Sequence, residues 1–270
     1  MKIIDCFMYF NEDLVLDVRL NELNPHIDKF IIIESNFTHS GEKKNFNFDI
    51  EKFKKFENKI IYLKLDQKPK NLIEISEHDN QDETKRKQIE NALILENFQR
   101  NYILKGLENF SDDDFILISD IDEIPNLSLI DLNKHKNSIV LFKQYFFHYK
   151  FNLFLDNFYF FGSKGCIKKQ LKSPQWLRNV KGKKYSLFRF DTYFSEKKYN
   201  NVKIIEKGGW HFTNVMNEEK IIYKLKSYLH HADFPENLLY KDIFKTLIKE
   251  KKIMYDHSAD KSKDRFKNSK

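Results

Sequence analysis

Apolar and polar positions alternate in blocks along the first half of the chain, and the blocks have the lengths of strands and helices. Lys2 to Phe10 is rich in β-formers, starts almost at the first residue and stops at Asn11-Glu12-Asp13, which predicts a buried strand. Leu14 to Leu23 places Leu14, Val18, Leu20 and Leu23 at helical spacings, with Asn11 or Asp13 as N-cap and Pro25 closing the segment. Lys29 to Ser35 (KFIIIES) and Lys59 to Leu65 (KIIYLKL) read as further strands, separated by a polar loop that turns at Gly41. Residues 67 to 82 are polar and irregular, which predicts a surface loop. A long helix follows over 82 to 107, carrying Ile89, Leu93, Glu96, Phe98, Arg100 and Ile103, with Gly106 near its end. Phe115 to Ile118 then forms an apolar run that breaks abruptly into Ser119-Asp120-Ile121-Asp122-Glu123.

Strand, helix, strand, strand, helix, strand is the signature of an α/β fold with a largely parallel sheet, in which ligands collect at the carboxyl ends of the strands. Glu12, Glu34 and the Asp120 cluster all fall at such ends. The second half is less regular. Ile139 to Phe151 and Phe158 to Cys166 are aromatic and strand-like, the latter with Gly162 and Gly165. A strand-like patch over Tyr185 to Phe190 contains Arg189, and Gly208 to Phe212 (GGWHF) reads as an interruption. From Asn217 the pattern turns helical, with Ile221, Ile222, Leu225, Tyr228 and Leu229 on one side, and a last helix is expected from Pro235 through Met254. The stretch after His257 is charged and poor in apolar residues, which predicts disorder.

Composition narrows the class. At 270 residues, with 41% hydrophobic and 15% aromatic residues, the chain can build one globular unit with a sizeable core. The formal charge is +7 with both signs interspersed, unlike the basic stripe of a nucleic-acid binder. Residues 241–270 hold ten Lys or Arg against five Asp or Glu, a surplus of five that suits either a solvated end or peripheral contact with anionic lipid. Two cysteines, Cys6 and Cys166, are too few for a disulfide framework. No apolar run approaches the roughly 20 residues that span a bilayer, and the first residues have polar interruptions. The expectation is a cytoplasmic protein, at most peripheral to a membrane.

The candidate chemistry lies in Asp120, Asp122 and Glu123, three carboxylates within four residues at the end of a buried strand. Asp120 and Asp122 alternate across Ile121, so in an extended backbone they point the same way. Hard oxygen ligands of this kind suit Mg²⁺ or Mn²⁺ bound together with a phosphorylated substrate. The competing reading is a solvated acidic turn. Glu96 and Arg100, four apart on the long helix, form either a surface ion pair or part of a site. No GxxxxGK[ST] phosphate loop occurs.

Phe10-Asn11-Glu12, IIIESNFTHSG (residues 31–41), ENFQRN (96–101), LISDIDEIP (117–125) and GGWHF (208–212) occur in the order in which they occur in glycosyltransferase family 17, and the chain resembles that family over roughly residues 3 to 233. The resemblance implies a GT-A-like single domain over 1–256, with a Rossmann-like, mostly parallel sheet flanked by helices and a helical C-terminus. Residues 1–125 would form the nucleotide-binding half, 126–256 the acceptor half, and 257–270 a basic tail. It also implies a metal-dependent inverting transfer of N-acetylglucosamine or a related hexose from a nucleotide-sugar, UDP-linked, to a glycan, glycolipid or glycoprotein.

In that frame Asp120 and Asp122 look like the pair that holds Mn²⁺ or Mg²⁺ against the donor diphosphate, and His211 is similar to a late histidine ligand. Glu12 and Glu34 sit where such a fold receives the nucleoside. Arg100, Arg178 and Arg189 are candidates for the diphosphate, because a guanidinium fork matches phosphate oxygens. Asp191 and Glu123, with Asp233 behind them, are candidates for the general base. The chain departs from the family at Ala92-Leu93-Ile94, at Phe161-Gly162 and at His230-His231-Ala232, where sugar contacts are expected. The alternatives are a nucleotidyl- or phosphotransferase using the same carboxylates and metal, or a carbohydrate-binding protein with a decayed site.

Overall fold

A computed structural model describes residues 1–186, 194–228 and 239–252. The expected tail after His257, most of the Tyr185 to Phe190 patch, and Arg189, Asp191 and Asp233 lie outside those residues. In chain order the first half is β1 (Ile3–Met8), α1 (Asp13–Leu23), β2 (Lys29–Ser35), β3 (Ile60–Leu65), α2 (Gln81–Asn101), α3 (Ile103–Gly106) and β4 (Phe115–Asp120). The second half is β5 (Glu123–Pro125), β6 (Ile139–His148), β7 (Phe154–Ile167), α4 (Pro174–Asn179), β8 (Val202–Ile205), β9 (Gly209–Thr213), α5 (Glu218–Ser227) and α6 (Lys241–Glu250).

Among the described residues these strands make one sheet in the order β3-β2-β1-β4-β7-β6-β9-β5, with β8 also paired to β6. β3, β2, β1 and β4 run parallel, and the antiparallel pairs are β4 with β7, β6 with β7, and β5 with β9. The sheet is therefore mixed, mostly parallel and GT-A-like. From β1 the chain moves to β2 and β3 on one side, then crosses to β4 on the other. The strand order reverses between β1 and β4, the place where open α/β sheets leave a crevice.

Burial on both faces explains why the parallel strands read as unbroken apolar runs. Phe7, Phe30, Ile32, Phe115 and Leu117 face Val15, Leu16, Leu20 and Leu23 of α1. Ile4, Cys6, Ile31, Ile33, Ile116 and Ile118 pack on the other side with Ile103, Leu107 and Leu177. The buried stripe of α1 is offset from the expected one: Leu14 is 55% exposed, while Val15, Leu16 and Arg19 are buried. On α2, which an Asn80–Glu83 capping box starts, the inward face is Ala92, Leu95, Gln99 and Arg100, with Leu93 turned outward.

The segment read as an interruption, Gly208 to Phe212, contains β9, paired parallel to β6 and antiparallel to the short β5. Gly209 has φ +125°, and a Cβ there would lie 2.1 Å from the Ile124 carbonyl oxygen. Only glycine lets the two backbones approach this closely. The consequence is that Glu123 and His211 become register partners.

Candidate active site

A cavity of about 480 Å³ opens at the crevice between β1 and β4. Tyr9, Phe10 and Glu12 follow β1 into its wall, Ser35 at the end of β2 is followed by Phe37, Thr38 and His39, and Asp120 at the end of β4 by Ile121 and Asp122. Glu96, Gln99 and Arg100 of α2, His211 of β9 and Lys224 of α5 add to the polar lining, while Phe146, Phe160 and Leu225 supply apolar surface. Of the residues expected at a site, Glu12, Arg100, Asp120, Asp122 and His211 are brought together in this one cavity.

Each acid in it is paired with a cation. The Asp120 side chain, 37% exposed, accepts from Arg100 Nη2 at 3.1 Å on Oδ1 and from Arg178 Nη2 at 3.0 Å on Oδ2. Burial pushes its pKa upward, but the Arg178 and Arg100 guanidiniums outweigh that and hold it at about 2. The Asp122 side chain, 10% exposed, lies 3.5 Å from both Lys224 Nζ and His211 Nε2. Those two neighbours overcome burial and keep it well below the ordinary carboxylate range. Lys224 Nζ also sits 3.1 Å from Glu12 Oε1, and Glu12 Oε2 accepts the backbone N–H groups of Phe10 and Asn11 at 3.1 and 3.0 Å.

The backbone of the acidic turn is braced from beneath by Arg19. Its Nη1 donates to the carbonyls of Asp120 and Ile121, each at 3.2 Å, and of Glu123 at 2.7 Å. Nε and Nη2 grip Asp5 at 2.8 and 2.6 Å. Both side chains are fully buried, and the guanidinium lies over the Phe7 ring. Phe212 N–H donates to the Asp122 carbonyl at 2.8 Å, tying the turn to β9.

Three expected roles, those of Glu34, Glu123 and Arg178, do not match the positions. Glu34 is fully buried and outside the cavity wall; it accepts from Lys44, from Asn47 and Phe48 N–H at 2.8 and 3.0 Å, and from Tyr62 at 2.7 Å. With both oxygens filled it pins the segment after β2 to β3 instead of meeting a nucleoside. Glu123 is fully buried as well. Arg178 takes its two oxygens as a fork, at 2.6 and 2.8 Å, and Glu123 Oε2 also accepts Asp120 N–H at 2.8 Å. A carboxylate so occupied and away from the cavity wall cannot reach an acceptor hydroxyl. Arg178 spends its remaining capacity on Asp120 and on the Gly162 carbonyl, at 2.6 Å, so it supports the wall from behind. Arg100, by contrast, faces the cavity, paired with Glu96 at 2.6 Å and held by Gln175.

The metal expectation can be tested on the donor set. Among the described residues no three Asp, Glu, His or Cys side chains converge as a protein cage. Asp120 and Asp122 nevertheless line the same wall as His211, whose buried Nδ1 has no partner among the described residues and whose Nε2 is 3.0 Å from Thr213 Oγ1. Small hard cations are commonly held by one or two carboxylates and complete their shell with phosphate oxygens and water. The residues fit that mode of binding.

Lys164 is a further buried cation, and the sequence gives no hint of it. Its Nζ donates to the carbonyls of Arg178 and of Val180, at 2.8 Å for the second, and so fixes the end of α4 that presents Arg178. Burial, with Arg178 nearby, brings its pKa down to about 7. Between there and the ordinary lysine value of about 10.4 the unfolded chain binds a proton that the folded chain lacks, so stability rises with pH. Urea midpoints measured from pH 7 to pH 10 are expected to climb in the native chain relative to Lys164→Met. Parallel curves would refute that.

A mostly parallel α/β sheet with an acidic turn and a cavity at its switch point defines the GT-A-like class. The family model for glycosyltransferase family 17 matches residues 1–256, and the chain belongs to that family. It is 24% identical over 267 residues to a Homo sapiens beta-1,4-mannosyl-glycoprotein 4-beta-N-acetylglucosaminyltransferase, covering 89% of this chain and 45% of that protein. The Mus musculus protein of the same name matches at 24% over 267 residues, and the Rattus norvegicus one at 29% over 132 residues, 46% of this chain and 22% of that protein. The chain thus spans less than half the length of these relatives. Among the described residues no helix is long and apolar enough to cross a membrane.

Proposed function

We propose that this chain is a metal-dependent, inverting glycosyltransferase that moves N-acetylglucosamine or a related hexose from a UDP-linked donor to a glycan, glycolipid or glycoprotein. The observation that carries the reading is the Asp120-Ile121-Asp122 turn, held in the wall of a cavity at the sheet's switch point with Arg100 and Lys224 on either acid. The names of the relatives favour the sugar and the acceptor class.

In this reading Asp120 and Asp122, with His211 beside them, hold Mn²⁺ or Mg²⁺. When bound, the cation offsets the negative charge that grows on the departing nucleoside diphosphate. Arg100 lies within reach of the same phosphates, because its fork already meets the cavity at Asp120. Lys224 bridges Glu12 and Asp122 and couples the nucleoside side of the cavity to the acidic turn. Glu12, 6% exposed and held by Lys224 and by the backbone N–H groups of Phe10 and Asn11, lines the nucleoside side of the cavity in this reading. The Phe10 ring, stacked on Tyr223 at 5.3 Å, extends a flat apolar surface beside it. Phe146 and Phe160 keep water from the turn. We place this chemistry in the cytoplasm, in keeping with the two buried free thiols.

Calorimetry with UDP tests the reading. UDP is expected to bind in the presence of Mn²⁺ and to lose at least about tenfold in affinity, roughly 1.4 kcal/mol, on chelation or in Asp122→Ala with circular dichroism unchanged. Binding of equal strength without metal sinks the assignment of Asp120 and Asp122. Pyrophosphate release from a nucleoside triphosphate would favour the nucleotidyltransferase alternative.

A further inference from the structure

The carboxylates that line the cavity are each tied to a cation. Glu12 meets Lys224, Glu96 meets Arg100, Asp120 meets Arg100 and Arg178, and Asp122 meets Lys224. The charge of each is already committed to holding those cations. His39 is different.

His39 stands in the cavity wall on the loop after β2. That loop is closed on itself and is not a free arm. Thr38 N–H donates to the Glu42 carbonyl at 2.8 Å, Gly41 N–H to the Thr38 carbonyl at 3.0 Å, and Glu42 N–H to Thr38 Oγ1 at 3.0 Å. Ser40 N–H reaches the Ser227 carbonyl at the end of α5 at 3.2 Å, and Gly41 turns the chain with φ +92°. A side chain on such a loop is held in place.

A chain of hydrogen bonds sets the tautomer. The Ile33 carbonyl accepts Tyr9 N–H at 2.9 Å and Gln99 Nε2 at 3.3 Å. Reversing the Gln99 amide would set its oxygen against that carbonyl oxygen, so Gln99 Oε1 faces the other way, 3.0 Å from His39 Nε2. An amide oxygen needs a donor, and His39 Nε2 therefore carries the hydrogen. The other ring nitrogen, Nδ1, is left with its lone pair.

We infer that His39 is the general base that removes the proton from the acceptor hydroxyl, with Gln99 as the residue that orients it. The inference rests on the glycosyltransferase reading and names a group that reading leaves open. The acceptor O–H proton passes to Nδ1 as the oxygen forms its bond to the anomeric carbon. The bond from that carbon to the diphosphate oxygen breaks, and its electron pair leaves with the nucleoside diphosphate. The proton is then lost to solvent. Burial keeps the resting imidazole neutral, lowering its pKa, and of the charged groups facing it Glu96 and Asp120 oppose that shift while Arg100 adds to it. The two carboxylates favour the imidazolium once it forms.

The test uses the full chain with Mn²⁺, UDP-N-acetylglucosamine and p-nitrophenyl β-mannoside, following both transfer and donor hydrolysis. His39→Ala is expected to lose about 10²–10⁴-fold in kcat, the usual worth of a general base, with UDP affinity unchanged and part of the rate restored by added imidazole. A variant within about threefold of the native rate, or one whose rate and UDP affinity fall together, overturns the role of His39. A native chain that binds no UDP and turns over no donor overturns instead the glycosyltransferase reading, and this inference with it.

Discussion

Arg178→Ala is expected to destabilise the protein by about 3–5 kcal/mol, the usual cost of leaving one member of a buried ion pair without its partner. The stranded group is Glu123, fully buried, whose two oxygens both rest on the Arg178 fork. Asp120 loses one of its two guanidiniums in the same substitution, and the Gly162 carbonyl loses its donor. The damage therefore reaches the acidic turn as well as the core behind it, and UDP binding should weaken along with stability. Urea unfolding reads the first effect and calorimetry the second. Pairing Arg178→Met with Glu123→Gln removes the uncompensated charge, so part of the lost stability should return while UDP affinity stays low. An unfolding midpoint in Arg178→Ala equal to the native one would show that the pair carries no coupling energy.

That pair also marks the limit of what could be read along the chain. The parallel half was legible because strands buried on both faces leave continuous apolar runs, and β1, β2, β3 and β4 fell close to where KIIDCFMYF, KFIIIES, KIIYLKL and FILIS place them. The second half was harder. β9 begins at the second of two glycines, a pair that normally signals a break, and its strand character comes from close packing on Ile124 that no local pattern encodes. The site divides in the same way. Asp120, Asp122 and His211 stand out locally, as acids at a strand end and a histidine beside glycines, and the fold brings all three to one cavity.

Glu34 and Glu123 lie buried away from the cavity wall, against the expectation, for a shared reason: an acid at a strand end reads as facing solvent or ligand unless its partner is visible. The partners lie far away in sequence, Arg178 for Glu123 and Tyr62 with the 44–48 segment for Glu34. Lys224 was missed because a lysine on a helix flanked by Lys220 and Lys226 looks like any solvated charge. His39 was passed over as loop polarity. Its loop neighbours Thr38, Ser40 and Gly41 have the chemistry of a fixed turn, and that is a usable signal. Arg19 gave a warning too, since an arginine between Leu16 and Leu20 falls inside the apolar stripe.

Arg19 supplies the second large effect. Its guanidinium donates to three carbonyls of the acidic turn and to both oxygens of Asp5, a task for which a lysine has too few fixed donors. Arg19→Lys keeps the charge beside Asp5 and gives up most of the bracing, so the chain should fold while kcat falls by about 10²-fold, the scale expected when reacting groups are misplaced by about 1 Å. Arg19→Leu alone strands a buried aspartate and should cost about 3–5 kcal/mol. Combining it with Asp5→Leu replaces the pair by apolar side chains, and buried pairs exchanged in this way often lose nothing in stability. The double variant should therefore recover much of the unfolding midpoint and none of the activity, because no substitution at position 5 returns donors to the carbonyls of Asp120, Ile121 and Glu123. If transfer returned together with stability, Arg19 would be a core residue and nothing more; if stability returns alone, the geometry of the acidic turn depends on a side chain that never touches the substrate.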